Sequence, residues 1–131
     1  MIVDSSALVS IVLQEEGSGA VEAALLDAPL IGAGAPTLVE TSMVLRSRVG
    51  LTGQAALERL LGERSITVVS FDERHWREAL TAFSRFGKGQ HPAGLNFGDC
   101  LTYATARQAG RPLLCLGDDF AQTDLELVPL S

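Results

Sequence analysis

Acidic residues near the ends of predicted strands are the side chains best placed to do chemistry. Asp4 ends a short apolar strand, Glu40 lies in the first turn of the helix after the second strand, and Asp99 starts the helix before the fourth strand. Asp118 and Asp119 follow that fourth strand directly. Ligands of open parallel sheets bind outside the carboxyl ends of the strands, so we expect these carboxylates to meet at one edge.

Converging carboxylates need a counter-charge. Two of them about 4 Å apart repel by roughly 4 kcal/mol at an effective dielectric constant near 20. Mg²⁺ or Mn²⁺ removes this repulsion, because each takes oxygen ligands from carboxylates, from water and from phosphate groups. An acidic pocket with only two histidines in the whole chain therefore predicts a divalent-metal site suited to phosphodiester hydrolysis.

Each acid also has a structural interpretation. Asp4 and Asp99 are suitable helix N-caps, Glu40 is an acid favoured by the dipole of a first helical turn, and Asp118 with Asp119 suits a turn. For a single residue these interpretations compete well with a functional one. Four such coincidences at one sheet edge favour the site.

The elements that must position these acids form a regular alternation. Apolar runs of strand length alternate with stretches of helical period, which is typical of an α/β fold with a mainly parallel sheet covered by helices on both faces. We expect one domain over residues 1–131. Strands are predicted at 1–3, 30–34, 66–71, 112–117 and 125–130, and helices at 6–14, 20–28, from about Thr37 to 49, at 54–64, at 73–86 and at 99–109.

Composition excludes several classes of protein. The hydrophobic fraction of 47% is enough for one core, and the net charge of −6 argues against a broad basic surface for nucleic acid. Cys100 and Cys115 lack a metal-binding or disulfide spacing and are predicted core residues. The sequence has no membrane-spanning run and no signal-peptide pattern, so a cytoplasmic location without membrane association is expected.

Four segments of the chain carry a family resemblance. They are "IVDSSALVSIVLQEE", "APTLVETSMVL", "FGKGQHPAGLNFGDCLTYATARQAGRPLL" and "GDDFAQTDL", and the block "GLNFGDC" is the most specific. In this order, and over nearly the whole chain, they resemble the PIN-domain ribonucleases, specifically the VapC-type toxins of bacterial VapBC toxin–antitoxin pairs. The resemblance implies a PIN-like fold and a metal-dependent endoribonuclease.

The resemblance assigns the metal-binding acids to Asp4, Glu40 and Asp99. It also implies a fourth acid in the segment "GDDF", where many relatives have Asp or Asn two residues before the final "DF" pair and this chain has Gly117. Asp118 and Asp119 therefore both stay candidates for the fourth position. Ser6 matches a family position beside the first acid, where its hydroxyl would order water or a carboxylate.

Partners follow from the same resemblance. It implies an RNA substrate, a homodimer and a cognate VapB-type antitoxin. Because the planar fork of arginine complements carboxylates, we expect the antitoxin to insert an arginine or lysine into the acidic pocket. The helices that contain "LVSIVLQ" and "LVETSMVLRSRV" carry more apolar residues than one buried stripe needs, which is consistent either with a dimer interface or with helices buried on two sides. Cations near the predicted edge could bind RNA phosphates, and they are Lys88, Arg85, Arg46, Arg48 and His91.

Three other functions compete with this interpretation. A receiver-type phosphoacceptor domain would need adjacent acids after the first strand, whereas Ser5 follows Asp4. A serine or cysteine hydrolase lacks a nucleophile motif near His75 or His91. A non-catalytic PIN-fold binding module, which uses the acidic pocket only for its partner, remains the alternative to the ribonuclease.

Overall fold

A computed structural model describes residues 1–130 of the chain. Strands and helices alternate along most of it, as predicted from the hydrophobic period. The elements are β1 (Ile2–Val3), α1 (Ser5–Leu13), α2 (Ser18–Asp27), β2 (Gly32–Gly34), α3 (Ala35–Val49), α4 (Leu51–Glu63), β3 (Thr67–Val69), α5 (Glu73–Phe86), α6 (Phe97–Ala109) and β4 (Leu113–Leu114).

The four strands form one parallel sheet in the order β3-β2-β1-β4. Successive residues of a strand point to opposite faces, so Ile2 joins the core beneath α5 and α6, whereas Val3 joins the core beneath α1, α2 and α4. Leu113 and Leu114 divide between the same two cores. The predicted α/β fold with a sheet covered on both faces is therefore confirmed.

Several predicted boundaries were wrong. The expected last strand, 125–130, pairs with β4 only through a bridge between Leu127 and Leu113. Helix α3 begins at Ala35 with Pro36 in its first turn, where proline's missing N–H costs no helical hydrogen bond. Glu40 consequently lies in the second turn of α3 and is not a first-turn acid.

Helix α6 begins two residues before the predicted start. Its N-cap is Asn96, which accepts a hydrogen bond from the backbone N–H of Asp99, and the Asp99 carboxylate accepts one from the backbone N–H of Asn96. This reciprocal pair is a capping box. Asp99 therefore occupies the third helical position, and its expected role as an N-cap is wrong.

The two helices with surplus apolar residues differ in their surroundings. Helix α1 lies against α2, α3 and α4, and its residues from Ala7 to Ile11 are buried. Helix α3 instead exposes apolar side chains, including Val39 at 59% and Met43 at 66%. The sequence of this helix predicts a buried stripe of Leu38, Val39, Val44 and Leu45, which is wrong for the exposed Val39 and Val44, while Leu45 is fully buried. Within residues 1–130, no helix has the length and apolar character needed to cross a membrane.

Candidate metal centre

Asp4 is the most enclosed of the predicted acids. It directly follows β1, caps α1 by accepting from the backbone N–H of Ser6, and is only 6% exposed. The Ser6 hydroxyl donates to Asp4 Oδ2 at 2.7 Å, and the Thr102 hydroxyl donates to Oδ1 at 3.0 Å. The cap interpretation of Asp4 is thus correct, and the same carboxylate still faces the other acids.

Ser6 links Asp4 to the segment that follows the neighbouring strand β4. Its hydroxyl oxygen accepts a hydrogen bond of 3.0 Å from the backbone N–H of Leu116, just after β4. The hydroxyl hydrogen is then used on Asp4, so Ser6 holds the carboxylate against the strand that leads to Asp118 and Asp119. The Ser6 hydroxyl therefore lies beside Asp4, where the family resemblance places it.

Asp99 reaches the same edge from α6. This helix runs back along the sheet, so its N-terminus lies at the carboxyl edge of the strands. Burial is the main cause that raises the pKa of Asp99 to about 6, and the negative charges of Asp119, Asp4 and Glu40 contribute to the same shift, while the hydrogen bond from the Asn96 backbone N–H opposes it. All three charges that shift this pKa are carboxylates, and each comes from a different element or loop.

The structure distinguishes Asp119 from Asp118. Asp119 contributes to the raised pKa of Asp99, and after burial it acts with Asp4 and Asp99 to raise the pKa of Cys115 to about 12. Both residues are exposed, but Asp118 contributes to neither of these shifts. Asp119 is therefore the member of the pair that the fold brings to the other acids.

Glu40 lies against the first turn of α6. A Cβ atom at Gly98 would be 2.6 Å from Glu40 Oε2, so only glycine allows this close approach without a shift of the glutamate. The N-terminal end of a helix is electropositive, which favours a carboxylate at this place. Gly98 therefore lets α3 deliver Glu40 beside Asp99.

A methyl group at Gly98 should displace Glu40. We expect Gly98→Ala to lower RNA cleavage by about tenfold, a loss of the size seen when a group that orients a ligand is removed. Gly62→Ala is the matched control, since it adds the same methyl group inside helix α4 with no atom within 4 Å. Initial cleavage rates of the two variants test this contact, and equal rates would contradict it.

The acids suit a hard divalent cation in chemistry, although they are not a closed cluster. Among residues 1–130, no three acidic, histidine or cysteine side chains lie close enough together to form a ready-made metal site. Mg²⁺ usually keeps several waters and takes only one or two carboxylates, so an open group of oxygen donors is compatible with it. The pKa of Asp99 is raised first by burial and then by neighbouring carboxylates, and such a cation would relieve that repulsion.

The predicted basic residues do not gather at these acids. The Arg85 guanidinium bonds Asp124 at 3.1 Å and covers the Phe86 ring, and Arg48 bonds Glu15 at 3.3 Å. Arg46 is exposed beside Met43 on α3. Lys88 is exposed in the loop between α5 and α6, and in the same loop His91 accepts from the Ala93 backbone N–H and packs edge-on against Phe86.

Two residues near the acids escaped the sequence analysis. Thr102 is bonded to Asp4, and Asn96 caps the helix that carries Asp99. Their spacing from Asp99 could have revealed both. Asn96 lies three residues before it, which is the spacing of a capping box, and Thr102 lies three residues after it, on the same side of the helix. Both predicted core cysteines, Cys100 and Cys115, are free and buried.

Comparison with known proteins agrees with this geometry. The PIN domain family model matches residues 1–126. The chain belongs to the PIN-domain family, and its predicted resemblance to that family is confirmed.

Relatives within the family are named VapC ribonucleases. Ribonuclease VapC36 of Mycobacterium tuberculosis is 47% identical over 131 residues, which cover 96% of this chain and 91% of that protein. A crystal structure of M. tuberculosis VapC20, described as a sarcin–ricin loop cleaving toxin, matches with a TM-score of 0.80 at 17% identity over 97% of each chain. A toxin–antitoxin complex from Klebsiella pneumoniae matches with a TM-score of 0.74 at 14% identity, over 98% of this chain and 96% of that one. At these identities the two structures show the fold.

Proposed function

We propose that this chain is the toxin of a type II toxin–antitoxin pair, a single PIN domain that cleaves RNA with Mg²⁺ or Mn²⁺ in the cytoplasm. The observation that carries the proposal is the raised pKa of Asp99, caused by burial and by Asp119, Asp4 and Glu40. Three carboxylates that disfavour the ionisation of a fourth are unfavourable for the fold and useful for binding a cation. The names of the relatives supply the class of substrate.

Asp4, Glu40, Asp99 and Asp119 would hold the metal. When bound, Mg²⁺ or Mn²⁺ lowers the pKa of an attacking water and offsets negative charge on the leaving oxygen of the phosphodiester. Asp4 is fixed by the hydroxyls of Ser6 and Thr102, so its carboxylate is oriented before a ligand arrives. Asp99 is fully ionised only well above pH 6, which makes cation binding weaker in acid.

The proposal is tested with purified protein and a panel of transfer, ribosomal and messenger RNAs. We expect cleavage with Mg²⁺ or Mn²⁺ and none after chelation by EDTA. Mapping the 5′ ends of the fragments would then identify the RNA target. Protein that binds no divalent ion and cuts no RNA would instead support the alternative, a PIN-fold module that only binds a partner.

A homodimer through α3 is a further part of the proposal. Val39, Met43 and Val44 line a groove of about 500 Å³ together with Phe97, which is 80% exposed. Exposed apolar surface of this extent is typical of an interface. Met43→Asp should therefore convert a dimer into a 13.9 kDa monomer in light scattering. Leu26→Asp, at an equally exposed site on α2, should leave the dimer intact, and wild-type protein that is monomeric at micromolar concentration would refute the proposal.

An antitoxin would bind a second apolar face, on α5. Helix α5 buries one stripe, and on another side it exposes Trp76, Leu80 and Phe83 at helical spacing. These three residues line a groove of about 350 Å³ that also includes Phe97 and so leads to the start of α6. We propose that an antitoxin segment, disordered when free, lays apolar side chains in this groove and inserts an arginine or lysine between the acids.

Removing that antitoxin cation should separate binding from inhibition. Most of the affinity would come from the apolar contacts, and most of the inhibition from the charge between the acids. Replacing the cation with alanine should therefore restore RNA cleavage while calorimetry still detects the complex. An alanine variant that binds and inhibits like the original antitoxin would contradict insertion and favour blockage of the RNA path.

A further inference from the structure

Two buried threonines form a hydrogen-bonded chain behind Asp4. The Thr102 hydroxyl of α6 donates to Asp4 Oδ1, and the Thr37 hydroxyl of α3 lies 3.3 Å from the Thr102 hydroxyl. The exposed fractions of Thr102 and Thr37 are 1% and 3%. Because the single hydroxyl hydrogen of Thr102 is used on Asp4, Thr37 must be the donor to Thr102. The chain therefore runs in one direction, from Thr37 to Thr102 to the carboxylate.

The Thr102 hydroxyl departs from the usual behaviour of threonine in a helix. A helical threonine normally bonds the carbonyl oxygen one turn earlier. Thr105 does so on α6, where its hydroxyl donates to the Leu101 carbonyl at 2.9 Å, and Thr41 does so on α3, where its hydroxyl donates to the Thr37 carbonyl at 2.7 Å. Thr102 instead points its hydroxyl away from its own helix and towards Asp4. Thr37 lies in the first turn of α3, where its helix has no earlier carbonyl to bond, and its hydroxyl meets that of Thr102.

The chain joins three elements that carry acids. Thr102 lies one turn after Asp99 on α6, Thr37 lies one turn before Glu40 on α3, and Asp4 follows β1. A shift of α3 against α6 would strain the bond between the threonines and, through it, the Asp4 carboxylate. The chain therefore couples the orientation of Asp4 to the packing of the two helices that position the other acids.

We propose that Thr102 and Thr37 are positioning residues that fix the orientation of the Asp4 carboxylate for the reaction. Neither hydroxyl needs to touch RNA or the metal, since both act through Asp4. The proposal rests on the ribonuclease function proposed above. Thr102 carries most of the effect, because it bonds Asp4 directly, and Thr37 orients Thr102.

Thr102→Val tests the chain, because it removes the hydroxyl and keeps the shape of the side chain. We expect kcat to fall by about tenfold to a hundredfold with little change in KM, the loss typical of a group that orients a metal ligand. Thr102→Ser restores the hydroxyl and should bring kcat back to within about threefold of wild type. Thr37→Val should lower kcat less than Thr102→Val does.

Thr105→Val and Thr41→Val are the matched controls. Each removes a buried hydroxyl from the same helix as its test variant, but one that bonds only its own helix, so cleavage should stay near the wild-type rate. Unchanged cleavage by Thr102→Val would overturn the proposal. A loss by Thr105→Val as large as that by Thr102→Val, or no recovery in Thr102→Ser, would also overturn it.

Two measurements test the hydrogen bonds from Thr37 through Thr102 to Asp4 without any RNA. Calorimetry should show that Thr102→Val binds Mn²⁺ about tenfold more weakly than wild type or Thr105→Val does. Crystal structures without metal should show the Asp4 carboxylate rotated in Thr102→Val and unmoved in Thr102→Ser. If wild-type protein cuts no RNA, the ribonuclease proposal fails alone, and an Asp4 carboxylate that is unmoved in Thr102→Val would refute the positioning role.

Discussion

Asp99→Asn should lower the rate of RNA cleavage by orders of magnitude and at the same time stabilise the metal-free protein. Asparagine keeps an oxygen that can accept the hydrogen bond from the Asn96 backbone N–H, so the cap of α6 survives. It removes a charge that burial and the neighbouring carboxylates of Asp119, Asp4 and Glu40 make costly. At neutral pH, with allowance for solvent screening at this half-buried side chain, we expect a gain of about 1 kcal/mol, or about 3 °C in Tm.

The pH dependence of this gain has a definite sign. The pKa of Asp99 is raised from 3.8 to about 6 on folding, so its contribution to stability is fully present below pH 3.8 and is lost as pH rises through 6. Thermal unfolding of wild type and Asp99→Asn without divalent ions should therefore show similar Tm values near pH 4 and a growing advantage of the variant up to pH 7.5. A constant difference across this range would contradict the raised pKa.

Asp119→Asn should reduce cleavage by at least about a hundredfold, comparable to the loss of one electrostatic group from an active site. The reason is its place among the charges that act on Asp99 and Cys115. Asp118→Asn is the matched control, since it makes the same change one residue earlier, at an equally exposed position whose charge acts on neither group. The control should cleave within about threefold of wild type, as expected of a surface substitution away from the site.

Other results from these two variants would contradict the assignment of the fourth acid to Asp119. If Asp118→Asn loses activity and Asp119→Asn keeps it, the fourth acid is Asp118, and the segment after β4 must rearrange when metal or RNA binds. Initial rates with Mg²⁺ and with Mn²⁺ should both be measured. An effect of the same size in both variants would show that the segment contributes general negative charge and no specific ligand.

The fold was largely predictable because its signals are local and repeated. Helical period and apolar runs set the order of the elements, and a parallel sheet follows from their alternation. The edge of the sheet at which the acids lie was predictable from the same reasoning. Asp4 directly follows the first strand, and the carboxyl ends of parallel strands lie at one edge. Boundaries were less predictable, because a cap such as Asn96 competes with Asp99 only three residues away.

The details of the site depend on contacts that no local pattern encodes. Asp118 and Asp119 have the same side chain, and only the course of the turn after β4 decides which of them faces Asp99. The Thr102 hydroxyl meets a carboxylate 98 positions earlier in the chain. Arg85 was predicted to contact phosphate, but its guanidinium forms an ion pair with Asp124 at 3.1 Å.

The hydrogen bonds around Asp4 join segments that are almost as far apart in the chain as its length allows. Ser6 meets the backbone of Leu116 across 110 positions, and Asp4 meets Thr102 across 98. Contacts of such high sequence separation form late, because closing a long loop costs entropy before any contact repays it. During synthesis, the earlier helices can form while the acids are still apart. A growing chain therefore holds no complete acidic site until the segment after β4 has joined the sheet, so catalytic capacity would appear only near the end of folding.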